Sequence, residues 1–378
     1  MNGPKALLFA NTDWYLYNFR RSLVEAVAAS GWRPVLVSPP GEYGPRLRGM
    51  GFDWRALPFS VGGTNPVAEA GLLRRLVALY RQERPALAHH FTIKCVLYGS
   101  LAARAAGGVR VVNAVTGLGH VFTDEGVKAR GLRPVVRGLY RAALHREAGR
   151  VVFQNQEDLE AFVGAGLVPR HLTRLIRGSG VDCERFRPNG RSQGNGPVRI
   201  LFASRLLREK GIYELLTAFR ALRERGLDAQ LIVAGDRYPG NPSSLDADEV
   251  EALTQTPDIE YRGHVEDMPA LIGASDMVVL PSYREGTPRV LIEAAAMARP
   301  IVATDIAGCA GLVQDGVNGL TVPVRDVGAL ADAMARLAGD GDLRSAMGRR
   351  GREIVLAEFD ERVVIRKTLD VYREITPA

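Results

Sequence analysis

Short β-branched or apolar runs alternate with longer amphipathic stretches along the whole chain, twice over, on either side of one aperiodic break. In the first half, strands are predicted at Lys5–Asn11, Pro34–Ser38, Phe52–Leu57, Ala86–Phe91, Arg110–Val115 and Arg150–Gln154. Helices are predicted at Asn18–Ser30, Pro66–Gln82, Val96–Arg104 and Arg133–Ala148. The break is RPNGRSQGNGPV, Arg187–Val198, which has turn residues and no period. The alternation then restarts, with strands at Arg199–Ala203, Gln230–Ala234, Ile259–Tyr261, Asp276–Leu280 and Ile301–Thr304. Its helices are Glu209–Arg225, Pro288–Ala298, Val327–Ala338, Leu343–Glu358 and Asp360–Glu374. A βαβα rhythm of this kind demands parallel sheets covered by helices on both faces. The expectation is α/β: two Rossmann-like, doubly wound domains facing across a cleft. Residues 1–189 would form the first and 190–359 the second, with 360–378 a helix packing back on the first. Ligands of such sheets bind at the carboxyl ends of the strands.

Composition narrows the function classes. The 378 residues are 46% hydrophobic and 24% charged, enough to build two cores. No run of eighteen apolar residues occurs, and the opening MNGPKALLFANTDWY reads as a first strand rather than a signal peptide. Three widely spaced cysteines give no disulfide framework and no zinc spacing, so the expected compartment is the cytoplasm. Residues 1–189 hold 26 Lys and Arg against 14 Asp and Glu; residues 190–378 hold 23 against 28. That asymmetry calls for an anionic partner of the first half. Nucleic acid is disfavoured, because basic and aromatic residues do not interleave and no nucleic-acid module is present. Neither first strand is followed by GxGxxG, which disfavours a dinucleotide oxidoreductase.

Chemistry concentrates in VVLPSYREGTPRVLIEAAA, Val278–Ala296. A buried strand runs into a loop, Thr287 is expected to cap a helix, and Pro288 to fill its first turn. The helix start offers N–H groups and a positive dipole end to a phosphate or sugar oxygen. Glu285 and Glu293 would have Cα atoms roughly 12 Å apart, too far for a retaining-glycosidase pair at about 5 Å. They suit the two ends of one long ligand. FASRLLREKG, Phe202–Gly211, places Arg205 and Lys210 beyond another strand as a diphosphate clamp. IEYRGHVED ends a third strand at a glycine turn. Asp246-Ala247-Asp248 spells DxD, but it opens a helix where acidic residues suit the dipole, so no metal site is expected. Lys128–Arg150 carries seven basic residues and one acid, beside an apolar stripe. A membrane-surface helix and a core helix with a solvated back face both remain open.

REGTPRVLIEA resembles the signature of the retaining glycosyltransferases of glycosyltransferase family 4, which have the GT-B fold. SRLLREKG, VAGDR, YRGHVEDM, ARPIVATDIAGC and DGVNGLTVPVRD are similar to that family too. NFRRSLVEA, HHFTIKCVLYGSLAAR, TGLGHVF, VFQNQEDLEAF and GSGVDCERFRP resemble bacterial enzymes that extend a sugar on undecaprenyl diphosphate. The resemblance implies a nucleotide-sugar donor, UDP-linked, and a polyprenyl-diphosphate-linked sugar acceptor, at the inner face of the cytoplasmic membrane. It implies no cofactor. Glu293 would take the ribose hydroxyls and Glu285 those of the donor sugar. Arg205 and Lys210 would hold the diphosphate. Gly286, Thr287 and Pro288 would line the sugar–phosphate pocket, and Gly263 and His264 would flank the base. Gly117 and Gly119 would face donor sugar and acceptor, with His120 beside them, and Lys94, His90 and Arg20 would meet the acceptor diphosphate. Arg133, Arg137 and Arg141 would face an anionic membrane surface. One departure is NTDWYLYN after the first strand, read as a loop, where many relatives carry glycines. The alternatives are a soluble or other lipid acceptor, and a non-catalytic nucleotide-sugar binder.

Overall fold

The computed structural model describes residues 3–61, 65–115, 137–188 and 196–376. The chain forms two compact units, Met1–Ser179 with Val364–Ala378, and Gly180–Val363. The division falls at Ser179/Gly180, ahead of the Arg187–Val198 stretch, because Val181, Cys183 and Phe186 are already buried in the core of the second unit. Val181 donates to the Phe359 carbonyl and accepts from Glu361 (both 2.9 Å).

The first unit holds a seven-stranded sheet in the order β3-β2-β1-β4-β5-β6-β7. The strands are β1 Lys5–Phe9, β2 Arg33–Ser38, β3 Asp53–Ala56, β4 Leu87–Phe91, β5 Arg110–Val115, β6 Gly149–Phe153 and β7 Thr173–Leu175. All pairings are parallel. NTDWYLYN is not a loop. Thr12 accepts from the Tyr15 N–H and starts a helix over Asp13–Phe19, which breaks at Arg20 and resumes as Arg21–Ala29. Asp13 is buried, and its carboxylate accepts from the N–H groups of Trp14, Tyr43 and Gly44 (2.7–2.8 Å). It thereby ties the end of β1 to the helix Tyr43–Gly49. The predicted helix at Val96–Arg104 begins earlier, at Ile93. Of the basic stretch at Arg133–Ala148, residues 137–144 are helical. A helix at Gln156–Gly164, capped by Asn155, has no counterpart among the predicted elements. The last helix, Glu361–Ile375, packs Val364, Val371, Tyr372 and Ile375 into the same core as Leu8, Leu36 and Phe91.

The second unit holds a six-stranded parallel sheet in the order β10-β9-β8-β11-β12-β13. Its strands are β8 Val198–Ala203, β9 Ala229–Ala234, β10 Ile259–Gly263, β11 Met277–Leu280, β12 Ile301–Thr304 and β13 Gly319–Val322. β8 lies between β9 and β11, so chain connections leave in opposite directions on its two sides. This is the topological switch point, where open α/β sheets bind ligands. Among the described residues no helix is long and apolar enough to cross a membrane.

Candidate active site

In the second unit the carboxyl edge of the sheet collects the predicted residues. Arg205 and Lys210 follow β8, Gly263 and His264 end β10, and Glu285 to Pro288 follow β11. Lys210 Nζ lies 2.5 Å from Glu285 Oε1, with the two side chains 12% and 13% exposed. The pair sits at the switch point. Its register is set by backbone packing: Gly211 has φ +74°, and a Cβ there would stand 2.1 Å from the Pro281 carbonyl oxygen. Tyr283 N–H donates to the Glu209 carbonyl (2.9 Å), and Ser282 Oγ to the same oxygen (3.2 Å). The two strand-end loops are therefore stitched together. Gly308 approaches the Glu285 and Gly286 carbonyls so closely that a Cβ would stand 2.3 Å from the first.

The helix after this loop is Arg289–Ala296. Thr287 does not cap it. Its hydroxyl donates to the Gly286 carbonyl (2.9 Å), and Pro288 is the cap residue, with no side-chain cap bond. Pro288 has an extended backbone (ψ 113°), so the helix begins one residue later than a threonine cap would place it. Glu293 is 7% exposed on the buried face. Arg289 Nε donates to its Oε1 (2.7 Å). Burial raises the Glu293 carboxyl above the ordinary glutamate range, against the lowering pull of Arg289 and Arg185. Arg289 was missed by sequence reasoning, although its i,i+4 spacing to Glu293 is a helix-pair signal.

Arg205 is exposed and lies over the Tyr238 ring, 5.0 Å from its centroid. Gly263 (φ +58°) accepts the Gly235 N–H at 2.6 Å, and His264 is exposed just beyond. Gly235 itself packs on the Ser204 carbonyl, where a Cβ would stand 1.9 Å away. The ends of β8, β9 and β10 thus form one tight backbone surface. Asp246 is the N-cap of Ala247–Gln255 in a full capping box with Glu249, which accounts for the acidic DAD run structurally.

The first unit corrects three expectations. His90 is fully buried in β4, where it cannot meet an acceptor diphosphate. Asn113 Oδ1 accepts from His90 Nδ1 (2.8 Å) and from Ser100 Oγ (3.0 Å), which leaves His90 Nε2 to accept from the Tyr80 hydroxyl (2.8 Å). Lys94 is neutralised: its Nζ donates to Glu69 (2.6 Å) and to the Ser60 carbonyl (2.7 Å). Arg20 is 6% exposed, stacks on Phe91 at 4.5 Å and donates to the Tyr15 hydroxyl (2.6 Å), so it is a packed residue and not an open cation. Arg137 and Arg141 donate to the Ala165 and Gly166 carbonyls (3.0 and 2.9 Å) at the end of the Gln156–Gly164 helix. Gly117, Gly119, His120 and Arg133 lie outside the described residues.

Burial holds the His90 imidazole neutral, with its pKa lowered to about 4. An unfolded histidine protonates near 6.5. The unfolded chain therefore takes up this proton first, and stability is lost as pH falls from about 6.5 towards 4. A urea titration at pH 7.5, 6 and 5 should show the midpoint falling at each step, with a total loss of about 2 kcal/mol from this group by pH 5. A midpoint flat over that range would contradict the buried neutral assignment.

Two family models match the chain. One described as "Glycosyl transferase 4-like" covers residues 5–155, and one described as "Glycosyl transferases group 1" covers residues 197–340. The chain is similar to N,N'-diacetylbacillosaminyl-diphospho-undecaprenol alpha-1,3-N-acetylgalactosaminyltransferase of Campylobacter jejuni, 24% identical over 95% of this chain and 96% of that one. It is also similar to UDP-Gal:alpha-D-GlcNAc-diphosphoundecaprenol alpha-1,3-galactosyltransferase of Escherichia coli, 25% identical over 79% of each. Among solved structures it is similar in fold to sucrose-phosphate synthase from Thermosynechococcus elongatus, with a TM-score of 0.79 and 21% identity over 98% of this chain and 99% of that one.

Proposed function

The chain belongs to the GT-B glycosyltransferases, with a 4-like domain followed by a group 1 domain, and from that premise we propose that it moves a sugar from UDP to a sugar on polyprenyl diphosphate, with retention of configuration. The observation that carries the reading is the Lys210–Glu285 pair at the switch point, beside a helix start whose cap residue, Pro288, gives it no side-chain bond. Such a place receives a diphosphate and the hydroxyls next to it. The relatives that act on diphospho-undecaprenol sugars support the acceptor, and the UDP-Gal enzyme supports the donor.

In this reading the bond from the anomeric carbon to the β-phosphate oxygen breaks. The acceptor hydroxyl forms the new bond on the same face, and its proton passes to the departing phosphate oxygen. Lys210 and Arg205 stabilise the charge on the diphosphate, while Glu285 holds Lys210 in place and accepts from donor-sugar hydroxyls. This is electrostatic preorganisation. Glu293 accepts from the ribose. The acceptor lies in a bilayer, and the basic excess of residues 1–189 suits its anionic inner leaflet. The deciding experiment is transfer from radiolabelled UDP-sugars to a synthetic polyprenyl-diphosphate sugar, with the product anomer read by NMR. Failure with every lipid acceptor while a free sugar is glycosylated would overturn the acceptor assignment, and an inverted product the mechanism.

Two expectations accompany this. With Lys210, Arg205 and the helix start supplying positive charge, transfer should persist in EDTA. Loss on chelation, restored by Mg²⁺, would oppose it. Glu293→Gln should act in opposite directions on stability and binding. Because the folded carboxyl pKa is raised, its ionisation at neutral pH works against the fold, and that penalty is absent below the unfolded pKa. The variant should melt higher at pH 7.5, lose that advantage at pH 4, and bind UDP about 10–100-fold more weakly. Equal UDP affinity would remove the ribose role.

A further inference from the structure

Away from the carboxyl edge, the second unit contains a groove of about 400 Å³ between the helix Ile212–Glu224 and the helix Ala247–Gln255. That volume lies within the range of small-molecule sites. Its floor is Phe219, Leu245 and Leu253, each 3% exposed, and Leu216 and Ile259 line it further. Polar contacts flank it at both ends. At one end the Tyr213 hydroxyl donates to Glu249, which also receives the Asp246 N–H (2.7 Å) and lies 3.6 Å from Arg208. At the other, Arg223 bridges to Asp258 (3.0 Å) and Asp228 (3.3 Å). Asp258 reaches Arg223 from a left-handed backbone (φ +63°), a conformation uncommon outside glycine. Between the two brackets the small side chain of Ala252 forms part of the wall.

The rim charges are matched, with one exception. Glu249 and Asp258 have cationic partners, and Arg223 has two acids, whereas Arg220 lines the groove without an acidic partner among the described residues. We propose that this groove is a second ligand site, which takes a small amphiphile with an apolar chain and a single anionic head, the chain on the Phe219–Leu245–Leu253 floor and the head on Arg220. A carboxylate and a phosphate monoester share that chemistry. None of these groups takes part in the donor site, so the site stands or falls separately from the transferase reading.

The test uses the full-length protein with laurate, dodecyl phosphate and dodecanol, all below their micellar concentrations. Calorimetry should give saturable one-to-one binding of an anionic probe, at least tenfold tighter than dodecanol, and the better of the two anions identifies the head group. Ala252→Trp, which fills the wall, should weaken binding at least tenfold. Arg220→Gln should reduce the anion-over-dodecanol preference about tenfold or more, as expected for a lost charge-assisted bond. Because both residues lie outside the donor site, circular dichroism and UDP affinity should match the parent in both variants. Absence of saturable binding, parental affinity in Ala252→Trp, or an unchanged head-group preference in Arg220→Gln would each overturn the proposal.

Discussion

Lys210→Met should lower turnover by about 10²–10³-fold while leaving the KM for the lipid acceptor within a few-fold of the parent, since its charge meets the departing diphosphate. Glu285→Gln should fall in the same range. Lys210 and Glu285 lie 2.5 Å apart with little exposure, so each is the other's neutralising partner before the donor arrives. Removing one leaves the other charge uncompensated. The double variant should therefore lose far less than the product of the two single losses, a coupling of about 1–3 kcal/mol. Free UDP should separate their roles: Lys210→Met weakens its binding, whereas Glu285→Gln, which acts on the sugar, leaves it nearly intact. Multiplicative losses in kcat, or equal effects on UDP, would dissolve the pair as a functional unit.

Gly211→Ala should be among the most damaging single methyl groups in the second unit. The added Cβ would stand 2.1 Å from the Pro281 carbonyl oxygen, and φ is +74°. Neither atom is the mobile end of a side chain, so the backbone must part. Overpacking and the left-handed backbone together should cost about 2–5 kcal/mol. The loops carrying Lys210 and Glu285 should separate as a consequence, and activity should fall even where the protein remains folded. Gly226→Ala is the control, because Gly226 also has positive φ (+78°) but meets nothing within 4 Å. It should show the backbone part alone. Similar melting temperatures for the two variants would mean that the Pro281 contact is not a constraint.

The second unit was more legible than the first for a physical reason. Its site groups sit on loops directly after strands, and strand ends are readable from apolar runs broken by glycine and charge. Arg205, Lys210 and Glu285 therefore fell on one sheet edge as the pattern implied, with Glu293 on the helix that follows β11. What escaped was finer than the pattern. Thr287 and Pro288 are both acceptable at a helix start, and only the backbone decides which of them caps it. In the first unit the candidates were single residues, and burial is not written in a single residue. HHF reads as a strand end, with His90 expected to meet the acceptor diphosphate. In the structure β4 is central, and one histidine faces each side: His90 meets Tyr80 and Asn113, His89 meets Tyr372. Lys94 finds Glu69, 25 positions away. The helix at Asp13–Phe19 had a local signal, the Thr12 cap, which the expectation of a loop overrode.

Tyr372, whose hydroxyl lies 2.7 Å from His89 Nδ1, belongs to a helix some 280 positions further along the chain. During synthesis the first unit emerges long before the helix Glu361–Ile375 exists, and the whole second unit must be translated in between. Throughout that interval the β4 face bearing His89 and Phe91 lacks Val364, Val371, Tyr372 and Ile375. The nascent first unit therefore shows an uncovered apolar face to the ribosome-bound environment, a period in which chaperone engagement is favoured and aggregation is the competing fate. Closure of that face waits for the helix Glu361–Ile375, so the first unit matures only after the second has been translated.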